Sequence, residues 1–265
     1  MLLLRAVNIA LLAVPASLLT VGCSVYVPLL PAAPQLREKG QVEVQANSYF
    51  NRRWEAGATY SPAKYVLVRA AAGIRTSPNR RADSARYESS RQYELAAGGY
   101  LPLGRNGLVS GLAGFGQARS ASAYNEGGVI RPQEYNDFRA RYHRRFAELA
   151  ASYFFPGRRS GLTVGVAYRL SGVRFEELTY NGQPVDVRRL TRHETMAFCR
   201  FGSPESAVPW LQGQLALGAS TEPRRAFDPT RTYAEARVRA GIPYLALSLI
   251  VLPHLFRPAP SELPR

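Results

Sequence analysis

Three histidines, His143, His193 and His254, and two cysteines, Cys23 and Cys199, are the residues of this chain best suited to chemistry beyond packing and charge. A zinc site needs three or four converging ligands at short spacing. No His-x-x-x-His or Cys-x-x-Cys occurs, so neither a metal nor another cofactor is expected. His193 precedes Glu194, which invites a His, Ser and acidic triad on a strand wall. Adjacent strand residues point to opposite faces, however, so His193 would need partners such as Ser220 or Thr195 from elsewhere on the wall. Residues 111–116, Gly-Leu-Ala-Gly-Phe-Gly, lack the Lys-Ser/Thr ending of a phosphate loop and read as small residues in a curved strand. No catalytic residue is expected.

Charge is the other chemical resource. The 265 residues carry 34 Lys plus Arg against 19 Asp plus Glu, a net +15, and the only lysines are Lys39 and Lys64. Arginine doublets at 80–81, 144–145, 158–159, 188–189 and 224–225 could each grip phosphate. Nucleic acid is excluded as the partner by the start of the chain, which marks it for export. Residues 1–22 hold one charge, Arg5, and an apolar run of signal-peptide length. That run closes on Leu19-Thr20-Val21-Gly22-Cys23, the small residue before cysteine that lipoprotein processing requires, so Cys23 is the expected lipidation site. Ser24 follows rather than Asp, which favours the outer membrane. Cys199 is then left without a disulfide partner. Residues 23–40, rich in Pro, read as a tether, and 257–265 as a C-terminal tail.

The elements that position these groups are strands. With 22 Gly and 19 Pro, the composition argues against a helical bundle. From residue 41 the pattern has period two: Val42, Val44 and Ala46 alternate with Glu43, Gln45 and Asn47, and Trp54, Ala56, Ala58 and Tyr60 with Glu55, Gly57 and Thr59. Strands are expected at 41–50, 52–60, 64–75, 91–103, 107–119, 138–155, 161–175, 191–201, 208–220 and 239–256. The sixth also admits a helix over 138–151, and its apolar face looks set to switch near Arg145. Short turns at 61–63, 104–106, 156–159 and 202–207 alternate with long polar connections at 76–90, 120–137, 176–190 and 221–238. This asymmetry, broken by the tight first hairpin at Asn51 and Arg52, is that of an outer-membrane barrel with an even number of strands. Tyr60, Tyr65, Tyr100, Tyr153, Phe154, Phe155, Trp210 and Phe256 flank the short turns, as an interfacial girdle would.

The expected fold is therefore all-β: a single antiparallel up-and-down β-barrel of about ten strands over 41–256. Its polar face carries a candidate interior network of Glu43, Glu55, Arg69, Glu94 and Arg169, with Gln212 and Gln214, spaced by Gly57, Gly98, Gly165 and Gly218. In the rival reading this face is a solvated exterior and the apolar residues fill a soluble barrel or sandwich, to which Pro243 and Pro253 in the last strand lend support. The runs at 91–104, 111–119 and 166–170, together with the tether after Cys23, resemble uncharacterised outer-membrane β-barrel-like lipoproteins of Bacteroidota. The resemblance implies a location and a fold and no activity. The expected function is an outer-membrane lipoprotein barrel with a structural, interaction or small-solute passage role, in contact with outer-membrane lipid and lipopolysaccharide. The alternatives are a lipid-anchored soluble binding protein and, third, a barrel-wall lipid hydrolase.

Overall fold

The computed structural model describes residues 25–49, 52–76, 87–128, 131–157, 161–202, 208–223 and 230–256. Cys23, the signal segment and the C-terminal tail lie outside them. The elements in chain order are β1 (Val42–Tyr49), β2 (Arg53–Tyr60), β3 (Val66–Thr76), β4 (Tyr87–Leu103), β5 (Gly107–Gly128), β6 (Arg131–Phe155), β7 (Leu162–Tyr180), the two-residue β8 (Gln183–Pro184), β9 (Arg189–Phe201), β10 (Leu211–Thr221), helix α1 (Tyr233–Arg239) and β11 (Ile242–Val251). Each long strand pairs antiparallel with its neighbours, β1 pairs with β11, and β7 pairs with both β6 and β9. Ten long strands thus close into an up-and-down barrel. No described helix is long and apolar enough to cross a membrane.

The alternation puts the polar face inside. On β3, Leu67, Arg69 and Ala71 are buried while Val66, Val68 and Ile74 are exposed. Outward apolar residues fill spans of about nine residues, from Val66 to Ile74 on β3, from Ala147 to Phe155 on β6 and from Leu211 to Ala219 on β10. A tilted strand needs roughly 9–11 residues to cross a bilayer. At the short-turn end this band closes with exposed Tyr60, Tyr65, Tyr153, Phe155, Phe201 and Phe256. Tyr100 does not join them: it points inward, 4% exposed, and packs against Leu36, Leu67, Leu108 and Leu112.

Several elements differ from the sequence expectation. The connection at 120–137 is mostly strand, because β5 and β6 run for 22 and 25 residues, well past the apolar band. Its outward residues, Ala121, Ala123, Asn125, Tyr135 and Asp137, are a mixture of small, polar and aromatic, so the regular apolar alternation of the band is absent there. The sixth strand is β throughout and its face does not switch at Arg145. Phe138, Tyr142, Arg144, Phe146 and Glu148 all face inward, and the register shift beside Tyr142 lies opposite, where β7 carries the extra residue Glu176. The long connection after β7 opens with a tight hairpin on Asn181 (φ 50°) and Gly182 (φ 78°), the pairing that matches strand twist. Residues 221–238 contain most of α1, capped at its start by Thr232 and Glu235 reciprocally. Pro243 sits at the second position of β11 and Pro253 beyond it, so neither interrupts the middle of a strand.

Residues 25–36, expected as a tether, are buried inside the barrel with the exception of the partly exposed Gln35. Pro28, Pro31 and Pro34 recur at every third position. That spacing favours the polyproline II helix, which has three residues per turn and no internal hydrogen bonds. A dozen residues of it extend about 37 Å, enough to run the length of a barrel. Such a chain must find partners for every buried backbone group in the wall around it.

Candidate functional site

The wall meets that demand with charge. Buried described residues include six arginines, Arg53, Arg69, Arg144, Arg169, Arg192 and Arg200, and six glutamates, Glu43, Glu55, Glu88, Glu94, Glu148 and Glu194. The interior is therefore balanced, and the surplus of +15 resides elsewhere. Carboxylates accept from the segment's N–H groups: Leu30 N donates to Glu55 at 3.1 Å, Ala32 N to Glu148 at 2.8 Å and Gln35 N to Glu43 at 3.0 Å. Arginines donate to its carbonyls: Arg53 to Pro28, Arg169 to Leu29 at 3.3 Å and to Leu30 at 3.5 Å, and Arg200 to Ala33 at 3.0 Å. Charge-assisted bonds of this kind are the stronger class, and they compensate groups that the prolines leave unpaired.

The direction of the segment follows from its contacts. Near its start, the Val25 carbonyl accepts from Ser120 and the Tyr26 hydroxyl donates to Glu194, while Val27 N donates to Tyr142 at 3.1 Å. Just past its end, Arg37 donates to the carbonyl of Gly107 at 3.1 Å. Gly107 begins β5 at the short turns and Ser120 lies 13 residues further along it, about 44 Å of strand. The segment thus descends from the long-loop mouth to the short-turn mouth, antiparallel to the β1 strand that follows it. Space is made by glycine: a Cβ at Gly73 would lie 2.8 Å from Leu29 Cδ2, and one at Gly57 would lie 3.1 Å from Arg69 Nη2.

The five residues expected as an interior network all face the lumen. Glu94 and Arg169 meet directly, with Arg169 Nη1 and Nη2 each 3.2 Å from a Glu94 oxygen and Arg169 Nε 2.6 Å from Glu148. Glu43 pairs instead with Arg200 at 2.9 Å, Glu55 with Arg53, and Arg69 donates to Thr59 at 3.3 Å. Arg144, expected to share an exposed doublet with Arg145, lies inside, 3.0 Å from Glu94. Arg53, Arg144, Glu148, Arg192, Glu194 and Arg200 extend the network beyond the sequence reading. Their signal was the same period-two alternation, which on β9 runs Arg192, Glu194, Met196, Phe198, Arg200.

Among the described residues, α1 packs into the long-loop mouth. Helix α1 buries Ala234 and Val238 in a cluster with Tyr26, Tyr124, Phe138, Tyr142, Phe175 and Leu190. Arg192 donates to the carbonyls of Arg239 and Ala240 at 3.0 and 2.9 Å, capping the helix end and fixing it to the wall. Outside the band, Tyr233 and Arg237 both donate to Glu126. The Tyr233 hydroxyl first and then the Arg237 guanidinium outweigh partial burial and hold the Glu126 carboxyl below its usual value.

No triad forms at His193. It faces outward and its Nδ1 lies 2.5 Å from the Tyr168 hydroxyl, whereas Ser220 faces the lumen and accepts from Arg192. His143 contacts Glu176, and His254 contacts the backbone of Val42. Among the described residues no group of three or more His, Cys, Asp or Glu could hold a metal ion. Cys199 is a free thiol, partly buried.

No protein-family model matches the chain, and no curated relative matches it. Among solved structures, one similar chain is the copper transporter OprC, at 11% sequence identity and a TM-score of 0.26. The likeness covers 82% of this chain and 43% of that one, so this chain spans less than half the length of that protein.

Proposed function

We propose that this protein is an outer-membrane β-barrel whose lumen is filled by its own residues 25–36, so that it serves the envelope as a structural or interaction element and not as an open passage. The observation that carries the reading is the inverted polarity of the wall. Outward positions at mid-height hold Leu149 and Val166, each more than half exposed, while Glu94 and Arg169 inside have no exposure. Water would penalise that exterior, and a bilayer rewards it. Acylation at Cys23 and contact with lipid and lipopolysaccharide belong to this reading, as does kinship with the Bacteroidota lipoproteins that the sequence resembles. No catalytic role is assigned.

The test is extraction and mobility. Membranes bearing the protein are washed with carbonate and urea, then dissolved in detergent and run on a gel with and without boiling. A retained protein whose migration changes on boiling supports a membrane barrel. Release of a Cys23→Ala variant as a soluble monomer by osmotic shock points to a soluble, lipid-anchored barrel instead.

A further inference from the structure

Just above the apolar band, on the long-loop side, the outer face of β4, β5 and β6 carries a row of like charge. Arg91 stands opposite Arg119, and Arg119 opposite Arg141, in direct cross-strand register. Side chains so placed have Cβ atoms about 5 Å apart, and like charges directly opposite destabilise a sheet. Arg141 shares its charge with Glu177, 3.4 Å away, and Glu176, 3.8 Å away, and Arg139, on the same face of β6, with Asp137 at 3.1 Å. Arg91 and Arg119 have no carboxylate in ion-pair reach among the described residues. All four arginines line one shallow cavity of about 430 Å³, together with Ser89 and Glu177.

What lies beneath the row narrows the ligand. The next outward pair toward the short turns is Tyr93 and Gln117, joined by a 2.9 Å hydrogen bond, and below it stand the exposed Leu95 and Phe115. On β4 and β5 the cationic row therefore borders the apolar wall directly, with a tyrosine at the boundary, where headgroups meet chains, while on β6 the exposed His143 and Arg145 stand between Arg141 and that wall. Guanidinium forks match phosphate oxygens bidentately, and an anion seated between Arg91 and Arg119 converts their repulsion into attraction.

We propose that Arg91, Arg119 and Arg141, with Arg139 beside them, form a binding site for the phosphate of a membrane lipid whose acyl chains lie along Leu95 and Phe115. This rests on the barrel spanning a membrane, and the experiment separates the two. The purified protein and its Arg119→Gln and Arg91→Gln variants are placed in nanodiscs of neutral lipid containing bisphosphorylated lipid A, dephosphorylated lipid A or neither. A parallel series in neutral detergent receives inorganic phosphate. Site occupancy predicts at least tenfold tighter retention of the phosphorylated lipid by the parent, lost in either variant. It also predicts an inversion: Arg119→Gln raises the urea midpoint in phosphate-free detergent and lowers it in phosphorylated nanodiscs. Equal retention of both lipids, or variants that behave as the parent, overturns the site. Stabilisation by inorganic phosphate equal to that by the lipid overturns its assignment to a lipid. Failure of the parent to enter nanodiscs at all removes the membrane reading, and the site with it.

Discussion

Arg169→Met is the most direct test of the charged lumen. Arg169 sits between Glu94 and Glu148, with Glu194 3.9 Å away, and donates to two carbonyls of the luminal segment. Methionine fills similar volume and removes the charge, leaving five buried arginines against six glutamates. Breaking a buried pair by deleting one partner costs about 3–5 kcal/mol, because the remaining charge stays desolvated and uncompensated. With a urea slope of about 2 kcal/mol/M, the unfolding midpoint falls by roughly 1.5–2.5 M. The assay is urea titration in vesicles, read by fluorescence of Trp54 and Trp210 and by gel mobility without boiling. Adding Glu148→Met removes a carboxylate as well, and the double variant recovers part of the loss. A single variant within 0.5 M of the parent, or losses that simply add, would refute the claim that these charges hold one another in a dry interior.

Four further outcomes follow from the same geometry. Val166→Arg, on the outer face, destabilises the barrel in vesicles by about 2–4 kcal/mol if that face meets lipid; equal stability and better solubility without detergent would contradict it. Gly73→Ala crowds Leu29 and costs about 1–3 kcal/mol, and this penalty shrinks in a Leu29→Ala background; a constant penalty across the cycle would mean that Leu29 does not seat there. Deleting residues 25–36 turns a silent protein into a conducting one in planar bilayers, unless the deletion abolishes gel-mobility evidence of folding, in which case alanine at Leu29 and Leu30 reports leak. Because Glu126 titrates below its usual value of 4.5, its contribution to α1 docking is complete above that value and is lost as pH falls through the lowered one. Hydrogen exchange across α1 therefore accelerates in acid, and Glu126→Gln flattens that dependence.

Much of the wall was legible because an apolar outside and a charged lumen impose opposite demands on alternate residues, and β1, β2 and β3 show both in the plain sequence. Where one demand lapses, so does the signal. Beyond the apolar band, the described outward residues of β5 and β6 are polar but for Ala121, Ala123 and Tyr135, and without a regular alternation these extensions read as loops. Phe138, Tyr142 and Phe146 lie on one face of β6 and Ala147, Leu149 and Ala151 on the other, an apolar pattern that reads as a switch of face near Arg145. The three aromatics pack on Val25, Tyr26 and α1 or beneath Arg169, partners far away in sequence. Residues 25–36 carried the largest ambiguity: an apolar, Pro-rich stretch has the same composition as a solvated tether and as the content of a lumen. Only the glutamates and arginines facing its backbone distinguish the two, and their convergence is a property of closure.

The luminal segment also changes the parity of the chain. Ten wall strands alone return the two ends of a barrel to one side, but the descent from Val25 to Leu36 adds an eleventh crossing before β1 begins. Val25 therefore lies at the long-loop mouth, whereas β11 finishes at the short turns. Two residues of extended chain reach at most about 7 Å, too little to cross an apolar band of about 25 Å. In the proposed membrane reading, an acyl group on Cys23 enters the leaflet beside the long loops, the same leaflet whose phosphates the arginine row is proposed to bind.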